Sequence, residues 1–158
     1  MIWLFAVLIG VIAGLRVFTA LAALCWAVAF ARLDLSQTGL AFLGWRYLPA
    51  ILSLLAVIEF ITDQLPTTPS RKVPSQFGAR LIAGALGGAA FAAAAQPGQW
   101  QSAALIGAVP GLVGAVIGTL GGAAVRARLA AAFGSDRPAA LIEDAVAIGA
   151  AVALVAAL

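Results

Sequence analysis

From Ile2 to Ala31 the chain is apolar at almost every position, and a single charged residue, Arg16, interrupts it. A run of that length has few homes other than lipid, because a membrane helix needs about 20 apolar residues. Further apolar runs follow at about 47–62, 77–95, 102–125 and 138–158, making five in all. Charged residues are only 9% of the 158 and hydrophobic types are 64%. A soluble domain carries roughly 25% charge, so a soluble enzyme, a disordered tail and a nucleic-acid-binding domain are excluded. The net charge of +3 reflects basic loops of the kind that set membrane topology. The expected fold is all-α: one polytopic transmembrane helix bundle over residues 1–158, with about five spans.

The first run is too long for one upright span. At ~1.5 Å per residue it would reach about 45 Å, against a hydrocarbon core of about 30 Å. It must tilt, project from the membrane, or break near Gly14-Leu15-Arg16. It lacks a basic leading segment and exceeds the apolar stretch of a signal peptide, so it reads as a retained first helix.

Loop charge sets the expected orientation. Arg71, Lys72 and Arg80 surround the second-to-third connection, and Arg126, Arg128 and Arg137 the fourth-to-fifth, whereas the other side has Arg32 and Arg46. The positive-inside bias predicts an N-terminus in the cytoplasm and, after five spans, a C-terminus outside. Trp26, Trp45, Tyr47 and Trp100 then mark the outer interface and Trp3 the inner one.

A weak repeat relates half 1–76 to half 102–158. Ile9–Leu15 resembles Ile106–Leu112, both runs end in Ala-Arg-Leu, and each is followed by a helix with an Ile-Glu pair, Ile58-Glu59 and Ile142-Glu143. In a five-span path the first and fourth runs point in opposite directions, the pattern of an inverted repeat, which in transporters brackets a midplane binding site.

The chemistry concentrates where charge is expensive. A charge at the membrane centre costs roughly 2.5–3.5 kcal/mol even on the lenient insertion scale, so such residues pair or face a polar cavity. Arg16, Glu59, Asp63, Arg80, Glu143 and Asp144 form the candidate ion- or substrate-binding set. Glu59 and Asp63, four apart, share a helix face. Glu143 and Asp144, about 100° apart on a helix, cannot both face one partner. The preferred pairing joins Arg16 to Glu59 or Glu143 and leaves the other carboxylates around a cytoplasm-facing cavity. Against it stands a plainer reading, structural ion pairs and snorkelling ends.

The Pro-rich connection holds Thr67, Thr68, Ser70, Arg71 and Lys72, hydroxyls and cations suited to a phosphate or lipid headgroup. Its plain reading is a topology-setting loop. Glycines at four-residue spacing, Gly107/Gly111 and Gly114/Gly118/Gly122, with Gly10/Gly14 and Gly84/Gly88 elsewhere, strip helix faces for close approach. They fit packing within the chain or a homo-oligomer interface. Pro110 would kink the fourth helix unless neighbouring groups absorb the freed carbonyl.

With no histidine and one cysteine, Cys25, histidine-based ligation and disulfides are excluded. No catalytic triad, P-loop or Rossmann glycine pattern is present. An aspartate-based intramembrane hydrolase is the one enzyme class these absences leave open, and its signature is missing; no enzyme activity, metal or cofactor is expected.

The stretches Ala13-Gly14-Leu15-Arg16, Glu59 with Thr62-Asp63-Gln64-Leu65-Pro66, and Pro74-Ser75-Gln76-Phe77-Gly78-Ala79-Arg80 resemble the domain of unknown function 4126 family of small bacterial integral membrane proteins. The resemblance implies an inner-membrane protein and lends no activity and no residue role. The expected function is a small transporter or channel-like protein for a charged solute or proton. The alternatives are a non-catalytic accessory or assembly subunit of a membrane complex, and a lipid-headgroup-binding protein. Expected partners are the bilayer, a second copy through the glycine faces, and a small charged solute or headgroup, with no nucleic acid.

Overall fold

A computed structural model of the protein describes residues 1–64 and 73–158. It is all-helical, with no strand among the described residues. The helices are α1 (Ile2–Leu15), α2 (Val17–Ala29), α3 (Leu48–Thr62), α4 (Pro74–Ala95), α5 (Trp100–Phe133) and α6 (Asp136–Ala156). Short 3-10 turns at Ala41–Gly44 and Pro97–Gln99 precede α3 and α5. By length and apolarity α4, α5 and α6 are each able to cross a membrane, whereas α1, α2 and α3 are shorter apolar helices.

Local chemistry sets the boundaries. Prolines open α3 and α4, where a missing N–H costs nothing. Gly134 ends α5 in the left-handed region (φ 66°), a conformation without penalty for glycine. Pro110 lies inside α5, yet the helix runs on through it.

The first run does break, at Arg16. That one residue is extended (φ −146°, ψ 113°) and separates α1 from α2. Contacts along the two pieces give their directions. Phe5 stacks on Phe91 near the end of α4, and Gly14 meets Arg80 near its start, so α1 is antiparallel to α4. Gly10 packs on Gly111 and Gly14 on Gly118, so α1 is parallel to α5. Residues Val17 and Phe18 of α2 meet Glu59, while Trp26 meets Ser53, so α2 is antiparallel to α3. Arg16 reaches Asp144, and Phe30 lies with Ala156, so α2 is parallel to α6. With α5 antiparallel to α6 across the Gly134 turn, α2 must run back against α1. The first run is a helical hairpin with Arg16 at its tip.

This corrects two expectations. A five-span path needs the ends of the first run at opposite faces, but both lie at one end of the bundle. Trp3 packs by Leu105 and Ile106, and Gly39, beyond α2, packs on Trp100. Trp3 therefore joins Trp100 rather than marking the far interface. The first and fourth runs, expected to be opposed as in an inverted repeat, are parallel, and α5 stays helical at Val113, which follows Leu112 as Arg16 follows Leu15. Apolar patterning measures exposure and length, not direction.

Glycine lets α1, α4 and α5 approach closely. A Cβ at Gly84 would lie 2.7 Å from both the Gly111 carbonyl and the Ala115 methyl, and one at Gly14 would lie 2.6 Å from the Thr119 amide. Gly10, Gly88, Gly107, Gly111, Gly114 and Gly118 meet backbone in the same way. These faces are filled by helices of the same chain, which favours the packing reading for them over an interface between copies.

Candidate functional site: a capped hairpin tip in a charge cluster

Breaking a helix exposes the last carbonyls of one piece and the first amides of the other. Buried, those groups need partners, since an unsatisfied polar group costs about 1–3 kcal/mol. The tip has no local side-chain cap, and distant residues supply the partners. Arg80 of α4, 2% exposed, donates through Nη1 to the carbonyls of Gly14 (2.8 Å) and Leu15 (2.6 Å). Glu59 of α3 accepts from the amides of Val17 and Phe18, both at 3.0 Å. A cation therefore sits at the C-terminus of α1 and an anion at the N-terminus of α2, each the sign that its helix dipole favours. Thr119 of α5 donates to its own Ala115 carbonyl at 2.8 Å and lies 3.3 Å from the Gly14 carbonyl.

Arg16 itself is 0% exposed. Its Nη1 bonds Asp63 Oδ2, its Nη2 lies 2.5 Å from Asp144 Oδ1, and its guanidinium sits 5.6 Å from the Phe60 ring centre. Asp63 is shared. Arg126 Nη1 reaches the same Oδ2 at 3.1 Å and Glu143 Oε2 at 3.5 Å, and its Nη2 bonds Asp136 at 2.6 Å. The result is a continuous cluster from α3, α5 and α6 around the tip of the hairpin.

All six candidate residues meet in this region, but not in the expected pairing. Arg16 pairs with Asp63 and Asp144, not with Glu59 or Glu143. Glu59 is engaged by backbone amides, and Glu143 by Arg126. Arg80 and Asp63, whose plain reading was snorkelling ends, turn inward. Glu143 and Asp144 do take different partners, as their 100° separation requires. Arg126 and Asp136 were missed as site residues. They lie past the apolar runs, where charge signals topology, and their clue was the short Gly134-Ser135 turn between them. Thr67, Thr68, Ser70, Arg71 and Lys72 lie outside the described residues. Among the described residues no group of His, Cys, Asp or Glu is arranged to hold a metal.

Thr19 is a second anomaly. Its hydroxyl is buried without a hydrogen-bond partner. A helical threonine can bond back to the carbonyl four residues earlier, here Leu15, which accepts from Arg80.

No protein-family profile, curated protein or solved structure matches the chain. The resemblance to the domain of unknown function 4126 family thus rests on its short motifs alone.

Proposed function

We propose that the chain is a small membrane transporter or channel-like protein that binds a proton or small charged solute at the tip of a re-entrant hairpin. The observation that carries this is Asp63 Oδ2, held at once by Arg16 and Arg126. Non-helical backbone at membrane depth is tolerated where protein buries it or where it lines a cavity. Half-helix ends at such depth are where transporters hold charged substrates, and here Glu59 and Arg80 occupy those ends.

In this reading α4, α5 and α6 cross the membrane, the shorter α3 makes a fourth passage, and α1–α2 enters and leaves from one face. The basic connections put the charge cluster toward the cytoplasm. The Met1 end of α1 and the Ala156 end of α6 then both face outward, in place of the cytoplasmic N-terminus that five spans imply. The task is binding and translocation rather than bond-making. A proton taken up by Asp63 weakens its hold on both guanidiniums, while Asp144 and Glu143 retain them. Loss of the proton restores the shared bridge. That exchange of partners is the two-state element the site would bias.

The test is proton entry into proteoliposomes of the purified chain, read with a trapped pH dye under a potassium diffusion potential. The wild type is expected to exceed empty vesicles, and Asp63→Asn and Arg16→Gln to fall to their level while still inserting and eluting as single species. Wild-type vesicles no faster than empty ones toward protons, sodium or chloride would overturn the reading. So would full flux in both variants.

A further inference from the structure

A cavity of about 770 Å³ lies in a groove between α2, α3 and α6, with the Phe60 ring between its inner end and Arg16. Its volume falls in the range of roughly 300–1,000 Å³ typical of ligand sites. The groove runs along α2 from Thr19 and Phe60 at the level of the hairpin tip to Phe30 and Arg32 at the bundle end. From Thr19 to Phe30 along a helix is about 16 Å, the reach of an extended alkyl chain. The walls are almost wholly apolar. Trp26 turns its indole N–H into the wall, donating to Ser53 at 3.0 Å, and Ser53 donates to the Pro49 carbonyl at 2.7 Å, so these polar atoms are already satisfied. Trp26 stacks on Phe30 at 5.1 Å beside the mouth, an aromatic pair at the depth where such rings meet headgroups.

Among the described residues that line the groove, one is charged. Arg32 lines the mouth and is exposed, and no described carboxylate pairs with it. Asp34, two residues on, instead accepts the Ser36 amide at 2.9 Å. An apolar trough ending at an unpaired guanidinium fits an amphiphile with an anionic head.

We propose that this groove seats one acyl chain of an anionic phospholipid, with the headgroup phosphate at Arg32. The headgroup end at Arg32 lies at the opposite end of α2 from the hairpin tip, and the proposal stands whether or not the chain transports ions. Native mass spectrometry of the full chain tests it, with equal amounts of phosphatidylglycerol and phosphatidylcholine of matched acyl length in the detergent. The expected preference for phosphatidylglycerol is about fivefold, the ~1 kcal/mol of one cationic side chain at an anionic lipid surface. Arg32→Gln is expected to remove the preference and Arg46→Gln to keep it. Ala151→Phe and Ala22→Leu, which fill the groove, are expected to reduce adducts of both lipids. Equal binding of the two lipids by the wild type would overturn the proposal, as would loss of preference in Arg46→Gln but not Arg32→Gln. A lipid-free dimer abolished by Ala151→Phe would assign the groove to a second copy and also overturn it.

Discussion

Replacing Glu59 with glutamine tests whether the hairpin is held by caps supplied from a distance. The carboxylate of Glu59 accepts two amides at 3.0 Å, from Val17 and Phe18, at the start of α2. Glutamine keeps one oxygen and turns an NH₂ toward the other amide, leaving one buried donor without an acceptor. That loss is worth about 1–3 kcal/mol. The anion at the N-terminus of α2 adds about 0.3–1 kcal/mol, more when partly buried. Glu59→Gln should therefore destabilise the fold by about 1–4 kcal/mol. Steric trapping in bicelles measures the global figure. Amide hydrogen exchange gives the local one, with protection falling first at Val17 and Phe18 and little changed in the middle of α4. Stability within about 0.5 kcal/mol of wild type, together with unaltered exchange at those two amides, would refute the capping argument.

Other substitutions separate packing from polarity. Gly10→Ala places a methyl against the Gly111 carbonyl and 3.1 Å from the Ala115 amide. Because both obstacles are backbone, α1 and α5 must separate, and a loss of about 1–3 kcal/mol is expected in the same unfolding assay. Gly149→Ala, with nothing within 4 Å, should be neutral or stabilise by up to about 1 kcal/mol. Thr19→Val removes a buried hydroxyl that lacks a partner and should leave stability unchanged or raised, since no hydrogen bond is lost; a clear loss of stability would show that the hydroxyl has a partner. In the loop after α2, the Ser36 amide holds the Asp34 carboxyl below the ordinary aspartate value. A depressed folded value means this contact contributes stability above the unfolded pKa and loses it as pH falls through the folded one. Carboxyl ¹³C titration should place Asp34 below its position in Ser36→Pro, which removes both the amide and the hydroxyl donor of Ser36.

Much of the site was legible in the sequence. Ionised residues inside apolar runs are rare enough to name Arg16, Glu59, Glu143 and Asp144 directly, and the excessive length of the first run left a break near Gly14-Leu15-Arg16 as one of three outcomes, beside tilting and projecting from the membrane. Two physical facts lay beyond it. Apolar residues fit either direction of travel, so Ile2–Ala31 could not show that α2 returns along the way α1 came. The partners of Glu59 and Arg80 are main-chain amides and carbonyls, which every residue carries and no motif marks. Side-chain charges were consequently matched to one another, Arg16 with Glu59, when the broken backbone had the stronger need for that carboxylate. Arg126 escaped notice because a cation just past an apolar run has a sufficient explanation in topology. Its role follows only once α3 and α6 bring Asp63 and Glu143 alongside.

The fold-back at Arg16 underlies both the candidate site and the proposed membrane path, and single-cysteine labelling tests it most directly. In a Cys25→Ser background, Ile2→Cys, Gln37→Cys and Ser135→Cys would be exposed in turn to a membrane-impermeant maleimide in sealed vesicles of known orientation. The hairpin predicts that positions 2 and 37 react from one side and position 135 from the other. Labelling of position 2 from the same side as 135, with 37 opposite, would mean that the first run crosses the membrane and would contradict the account.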